Sequence, residues 1–532
     1  MSAPATARWD TVEMGKGQVV TGGTSNVADL AAEAARTRTD RLALIDTATG
    51  TTLTWGELEL AVRATAHRLR EAGVEPGDRV GVRLPTSAAF AVAFFAVLRA
   101  DGVVVPLNPQ EPASASTAVL ADCGAEVVLG DESLGSATLV EPVLAAPERP
   151  GDAGSPAEPS RGGEDLAALL YTSGTTGSPR GVMLSHRALL AGVAQLRSLT
   201  PSPVEPSDRV FVAVPMHHVY GLGPGLLAPT AAGATLVTAP RFEARSALSD
   251  CLNHRVTVVL GVPAMYVAMA ARPADELGES LSTVRLLVSG AAPLRPKVLA
   301  DIRAATGLQI FEGYGLTEAA PVVTSTLVTG YAKPGSVGRP LPGVEVRLVD
   351  GDGTESGVPL DPEDPDDTFD DADGTGLVAV RGANLFSGYW PDGAHGPDAD
   401  GWFRTGDVGY VDTDGDLHLV DRAGDLVIVN GFNVYPHEVE GVISELPQVR
   451  EAAVVGVLDE HSGEAVKAVV VPEEGATLSE QQVIEHCAAR LAGYKVPTVV
   501  SFTDALPLSA TGKVRRVGLR GVDAVGQDGS HA

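Results

Sequence analysis

The sequence predicts an α/β protein with largely parallel sheets, followed by a smaller α+β unit, and three observations carry that prediction. Short β-rich runs alternate with helical patterns through the first half of the 532 residues, the alternation that builds parallel sheets covered by helices. From about Asp425 the texture changes to shorter strands interleaved with helices. The length exceeds what one hydrophobic core serves, so a large domain plus a smaller one is expected.

In chain order, "RVGVRL" alternates Val80, Val82 and Leu84, Ser87 to Ala100 reads as a helix, and "GVVVPL" reads as a buried strand. "GATLVTA", "TVVLGVP" and "VRLLVSG" continue the pattern, each strand closing on a small residue or proline. Two segments read as loops: Ala146 to Gly163, rich in Pro, Gly and Ser, and Gly351 to Gly376, an acidic excursion that lacks the ligand spacing of an EF-hand. After a hinge near Asp421 to Asp425, "LVIV", "EAAVVGV" and "AVKAVVV" alternate with the helical "HEVEGVISEL" and "SEQQVIEHCAARLA". The expected division is a domain over 1–421, a second over 422–520 and a tail over 521–532.

Composition excludes several classes. Hydrophobic residues at 44% and charged residues at 20% suit a folded globular chain. A net charge of −29 argues against a nucleic-acid partner, and means that an anionic ligand must be met by local cations or a metal. Cys123, Cys251 and Cys487 are odd in number and far apart, which indicates neither a disulfide framework nor a paired metal site and fits a reducing compartment. The first residues lack a signal-peptide pattern, and the most apolar run is interrupted by Arg99, Asp101 and Gly102, too short for a bilayer span. No transmembrane segment and a cytoplasmic location are expected.

The chemistry starts at "YTSGTTGSPRG", Tyr171 to Gly181. An apolar run reaches Tyr171, and a helix follows with Ser185 as its expected N-cap and Leu189, Val193 and Leu196 on one face. Between them, glycines let backbone N–H groups converge on an anion, while the hydroxyls of Thr172, Ser173, Thr175 and Thr176 add donors. It is not a Walker loop, because Gly-Lys-Ser/Thr is absent and Arg180 stands in the cationic place. Alone, the segment fits a phosphate cradle or a surface turn.

Four further stretches follow in order: "VSGAAPL" (Val288 to Leu294), "FEGYGLTEAAP" (Phe311 to Pro321), the run from Gly401 to Glu440, and "PLSATGKVRR" (Pro507 to Arg516). Together with the loop they closely resemble the adenylate-forming superfamily of acyl-CoA synthetases, nonribosomal-peptide adenylation domains and luciferases, from about Ala43 to Arg516. The resemblance implies a large N-terminal domain of stacked, mostly parallel sheets with helices and a small mobile C-terminal domain. It implies an acid–thiol ligase that uses ATP, Mg²⁺ and coenzyme A.

Residue by residue, the resemblance assigns Thr172, Ser173, Gly174, Thr175, Thr176 and Gly177 to the β- and γ-phosphates of ATP, with Arg180 as cation. Gly290, Ala291 and Ala292, with Gly313, Tyr314 and Gly315, would line the adenine side. Thr317 would bond the α-phosphate, and Glu318 would hold Mg²⁺, since a carboxylate beside polyphosphate is repelled unless a divalent ion intervenes. Asp407 would accept from the ribose hydroxyls, and Arg422 would donate on the ribose or phosphate side. Lys513 would bridge the substrate carboxylate and α-phosphate, His218 would sit near the carboxylate, Gly424 would be the hinge, and Gly431 would line the CoA channel. This chain departs from many relatives in having Arg180 for Lys and Gly424 for Asp or Lys. A fork thus replaces a point donor, and any salt bridge latching one orientation is lost.

Small and apolar residues in "PMHHVYGLGPGLLAPTAAGATL" and "GLTEAAP" suit an uncharged acid, with a medium- or long-chain fatty acid favoured and an aryl or cinnamate-like acid close behind. Relatives acting on malonate tend to carry Arg where Gly313 stands. Two alternatives stay open: a fatty acyl-AMP ligase serving a separate carrier protein, and a non-catalytic ATP-binding scaffold.

Overall fold

The structure is a computed structural model that describes residues 26–144, 159–172, 180–349, 375–422, 425–429, 432–459, 463–508 and 514–519. Most of the segments Ala146–Gly163 and Gly351–Gly376 lies outside the described residues, as does 521–532. By contacts, the described residues from 26 to 346 group with 379–403, and those of 347–378 group with described residues from 404 onward.

The larger unit holds two sheets. In the nine-stranded sheet, Leu42–Asp46, Thr235–Thr238, Arg209–Val212, Val258–Gly261, Leu286–Ser289 and Ile310–Gly315 lie side by side and parallel. Antiparallel strands finish its edges: Thr52–Thr54 on one side, then Val322–Ser325 and Arg339–Pro340 on the other. The six-stranded sheet runs Thr138–Val140, Val127–Gly130, Arg79–Arg83, Val103–Pro106, Leu166–Thr172 and Arg180–Ser185, parallel except for the last pair. Val103–Pro106 and Val258–Gly261 are buried at every position, as strands covered on both faces must be.

One helix shows why the sheets pack as they do. Ala88–Arg99, "AAFAVAFFAVLR", is apolar all round and buried almost throughout, the signature of a helix enclosed by the core. Ser87 caps it, its Oγ accepting from Phe90 N–H at 3.3 Å. Its one charge, Arg99, is buried and answered by Asp29 at 3.6 Å, Glu59 at 3.5 Å and the Ala28 carbonyl at 3.2 Å, since a buried cation without partners is prohibitively costly. No helix of the described residues is long and apolar enough to cross a membrane.

The smaller unit carries the hairpin of Phe403–Val411 and Leu417–Arg422 and a sheet ordered Phe432–Val434, Val427–Val429, Gly463–Pro472, Val449–Asp459, with Val499–Phe502 parallel to Gly463–Pro472. Helices Pro436–Ile443 and Glu480–Ala488 bury Val439, Ile443, Val483 and Cys487 in the unit's own core. Cys123, Cys251 and Cys487 are all buried free thiols.

Candidate active site

The phosphate-loop candidate falls, in sequence, between two paired strands. Leu166–Thr172 and Arg180–Ser185 run antiparallel, with Thr172 opposite Arg180. Ser173, Gly174, Thr175, Thr176 and Gly177 themselves lie outside the described residues. The sequence reading passes straight from loop to helix, whereas the structure inserts the returning strand, in which Val182 and Leu184 are fully buried. The helix His186–Arg197 starts only after Ser185, whose Oγ accepts from Ala188 N–H at 3.2 Å, and it buries Leu189, Val193 and Leu196. Its N-terminus therefore follows the strand that Arg180, an exposed cation, begins.

Thr317 and Glu318 stand on a short 3-10 turn, Thr317–Ala319, directly after the strand Ile310–Gly315. That turn is held from outside. The Asn384 amide, fully buried, donates to the Ala319 carbonyl at 2.6 Å and accepts from the Gln195 amide at 3.2 Å. Phe386 N–H donates to the Glu318 carbonyl at 2.9 Å. The Tyr389 hydroxyl donates to Glu318 Oε1 at 2.7 Å, and the Arg180 guanidinium lies 5.6 Å from the centre of the same Tyr389 ring. Two groups of opposite charge, 138 positions apart by their numbers, 318 less 180, are thus gathered on one phenol. Burial, followed by the hydrogen bond to Glu318, pushes the Tyr389 pKa up, so the hydroxyl stays protonated and donates.

The adenine-side candidates occupy the ends of two adjacent parallel strands, Leu286–Ser289 and Ile310–Gly315, in register as Ser289 opposite Glu312. Here the requirement is steric. A Cβ on Gly315 would lie 2.0 Å from the Pro321 carbonyl oxygen, because the chain folds back from Leu316 to Pro321 against this strand, while one on Gly290 would lie 2.8 Å from the Tyr220 ring. Ala291 follows with φ of 72°, a left-handed conformation that costs an alanine roughly 1–2 kcal/mol. Gly313 is half-buried and Tyr314 buried, and Ala292 is half-buried in the loop after Ala291. Glu312, missed by the sequence reading, ties the two strand ends together: its buried carboxylate accepts from Leu294 N–H at 3.1 Å. Burial raises its pKa to about 7, with the Leu294 hydrogen bond pulling the other way.

His218 is half-buried, and its Nδ1 accepts from Tyr220 N–H at 3.3 Å, which puts the proton of the neutral ring on Nε2. Its neighbour His217 is lowered to about 4 by burial, and its Nδ1 has no hydrogen-bond partner among the described residues. His218 thus packs next to Tyr220, whose hydroxyl donates to the Gly261 carbonyl at 3.2 Å.

In the smaller unit, Asp407 is buried and stands opposite Arg422 across the hairpin, its N–H donating to Thr405 Oγ1 at 3.1 Å. Gly424, Gly431 and Lys513 lie outside the described residues. The structure thus brings Arg180, Glu318 and the Thr317 turn together, and places the two glycine-rich strand ends side by side. Tyr389, Asn384 and Glu312 are the additions, and only the motif position of Glu312 in "FEGYG" carried a sequence signal.

Comparison with known proteins gives the family of the chain. The family model described as AMP-binding enzyme matches residues 30–390, and the model for the AMP-binding enzyme C-terminal domain matches 438–513. A feruloyl-CoA synthase of an Amycolatopsis species is 38% identical, over 87% of this chain and 93% of its own. A long-chain-fatty-acid–CoA ligase of Yersinia pestis is 33% identical, over 88% of this chain and 90% of its own. Among solved structures, ATP-bound MatB from Rhodopseudomonas palustris superimposes with a TM-score of 0.82 at 34% identity, covering 93% of this chain and 98% of that one.

Proposed function

Because the chain belongs to the AMP-binding enzyme family and is an acid–thiol ligase of the acyl-CoA synthetase type, we propose that it joins a medium- or long-chain fatty acid to CoA through an acyl-adenylate. The observation that carries the site assignment is the meeting of Arg180, over the ring, and Glu318, on the hydroxyl, at Tyr389. Cation and carboxylate thus come together next to the strand that follows the Gly/Thr/Ser segment, an arrangement suited to polyphosphate in a chain of net charge −29.

In the first half-reaction a carboxylate oxygen of the acid attacks the α-phosphorus of ATP, the bond to the bridging oxygen breaks, and pyrophosphate leaves. The 173–177 loop and Arg180 hold the β- and γ-phosphates, and Thr317 donates to the α-phosphate. Gly290 to Ala292 and Gly313 to Gly315 receive the base, with Asp407 and Arg422 on the ribose. Glu318 offers the hard, half-buried carboxylate oxygen that suits Mg²⁺, which when bound neutralises charge on the departing pyrophosphate. Lys513 places a point charge between carboxylate and α-phosphate, where two anions must approach. In the second half-reaction the domain over 422–520 turns about Gly424, Lys513 withdraws, and the CoA thiol, passing Gly431, attacks the acyl carbon with release of AMP.

An aryl or cinnamate-like acid is the second reading for the substrate. It is favoured by the higher identity to the feruloyl-CoA synthase, 38% against 33% for the long-chain-fatty-acid–CoA ligase. Transfer to a separate carrier protein in place of CoA is the remaining alternative for the acceptor.

One assay separates these. Pyrophosphate release is measured across a panel of fatty, aryl and dicarboxylic acids, with and without CoA. Acid-dependent release is expected, with free thioester and AMP formed stoichiometrically once CoA is added; release indifferent to every acid would refute the reading. Lys513→Ala is expected to abolish adenylation while thioester formation from a synthetic acyl-adenylate survives, and equal loss of both half-reactions would remove Lys513 from its role.

A further inference from the structure

The segment Phe386–Trp390 lies outside every motif used above, yet it is fastened to both halves of the phosphate end. On one side it runs along the strand Arg180–Ser185: Ser387 N–H donates to the Met183 carbonyl at 2.9 Å, Met183 N–H to Gly388 at 3.1 Å, and Trp390 N–H to Gly181 at 2.8 Å. On the other it meets the turn bearing Glu318, through Phe386 N–H and the Tyr389 hydroxyl. The Tyr389 ring packs edge-on against Phe386, centroids 5.1 Å apart, and Phe386 against Phe403 at 4.9 Å, so the ring has little freedom to turn. A phenol hydrogen bond to Oε1 holds that carboxylate oxygen in place.

We infer that Tyr389 is a positioning residue of the adenylation half-reaction, setting the Glu318 carboxylate through its hydroxyl and the Arg180 guanidinium through its ring. The inference rests on the assignment of Glu318 and Arg180 to the nucleotide. The two contacts separate cleanly by chemistry. Tyr389→Phe deletes the hydroxyl bond to Glu318 and keeps the ring beneath Arg180, whereas Tyr389→Leu removes both.

The test is equilibrium binding of α,β-methylene-ATP, which the enzyme cannot adenylate, to the full-length protein in excess Mg²⁺ and in EDTA. Tyr389→Phe is expected to weaken binding about tenfold in Mg²⁺, the loss of one charge-assisted hydrogen bond, and to leave binding in EDTA unchanged. Tyr389→Leu is expected to weaken both arms. In a Glu318→Gln background, Tyr389→Phe is expected to add nothing, since the hydroxyl acts through that carboxylate. Unchanged binding of Tyr389→Phe in Mg²⁺, equal losses in the two arms, or losses that add in the double variant would each overturn the inference. Absence of acid-dependent pyrophosphate release from the unaltered enzyme would instead refute the proposed function, leaving the binding arms to decide the role of Tyr389.

Discussion

The proposed phosphate end and adenine end of the larger unit share the chain from 313 to 318 but are built on opposite principles. At the phosphate end, charged groups from distant segments are collected on one aromatic side chain: Arg180 over the ring of Tyr389, Glu318 on its hydroxyl. At the adenine end, space is created by leaving side chains out, since any Cβ on Gly315 or Gly290 would run into the Pro321 carbonyl or the Tyr220 ring. The first end tolerates substitutions that keep charge and ring. The second tolerates none that add volume against backbone, because a carbonyl cannot move aside as a side-chain tip can.

The largest expected effect follows from that contrast. Gly315→Ala should cost about 3 kcal/mol or more in urea unfolding, because the new methyl carbon would stand 2.0 Å from the Pro321 oxygen. A variant as stable as the parent would show that the 316–321 return loop yields, and the contrast between the two ends would fall with it.

Next in size is Glu312, a charge buried at the sterically built end. Its pKa stands at about 7 against an ordinary 4.5, so the folded state holds a proton that the unfolded state releases between those values. The stability it contributes is fully present below about pH 4.5 and is lost as pH rises through 7. Comparing unfolding free energies of Glu312→Gln and the parent from pH 4 to 8, the difference should move in favour of the variant by about 3 kcal/mol and then level off. A difference flat with pH would mean that Glu312 titrates alike in the folded and unfolded states.

The smallest effect belongs to Arg180→Lys, at the electrostatic end. Charge and its place over Tyr389 are kept, so pyrophosphate release should stay within about fivefold of the parent. Complete loss would show that the guanidinium fork itself is required.

Much of this was legible beforehand, and the parts that were not share a cause. The parallel strands were readable because strands covered on both faces are continuous apolar runs, as in "GVVVPL" and "TVVLGVP". The helix after Ser185 was readable from its cap and its apolar face. The strand Arg180–Ser185 was not, because "RGVMLS" is short and runs unbroken into helical sequence, and only pairing with Leu166–Thr172 distinguishes it. Among the site candidates, Glu318 and Arg180 were legible as chemistry within local motifs. Tyr389 and Asn384 were invisible, since nothing near them in sequence marks a partner some 70 residues upstream, 71 for Tyr389 to Glu318 and 65 for Asn384 to Ala319.

By itself, then, the sequence determined the class of fold, the family and the kinds of group at each end of the proposed nucleotide site, because period, charge and glycine placement are local properties. The tertiary structure alone decided which of those groups meet. A hydrogen bond from Tyr389 to Glu318, a buried amide joining Gln195 to the 317–319 turn, and a Glu312 carboxylate raised toward neutrality all depend on what folding brings within about 3 Å and removes from water.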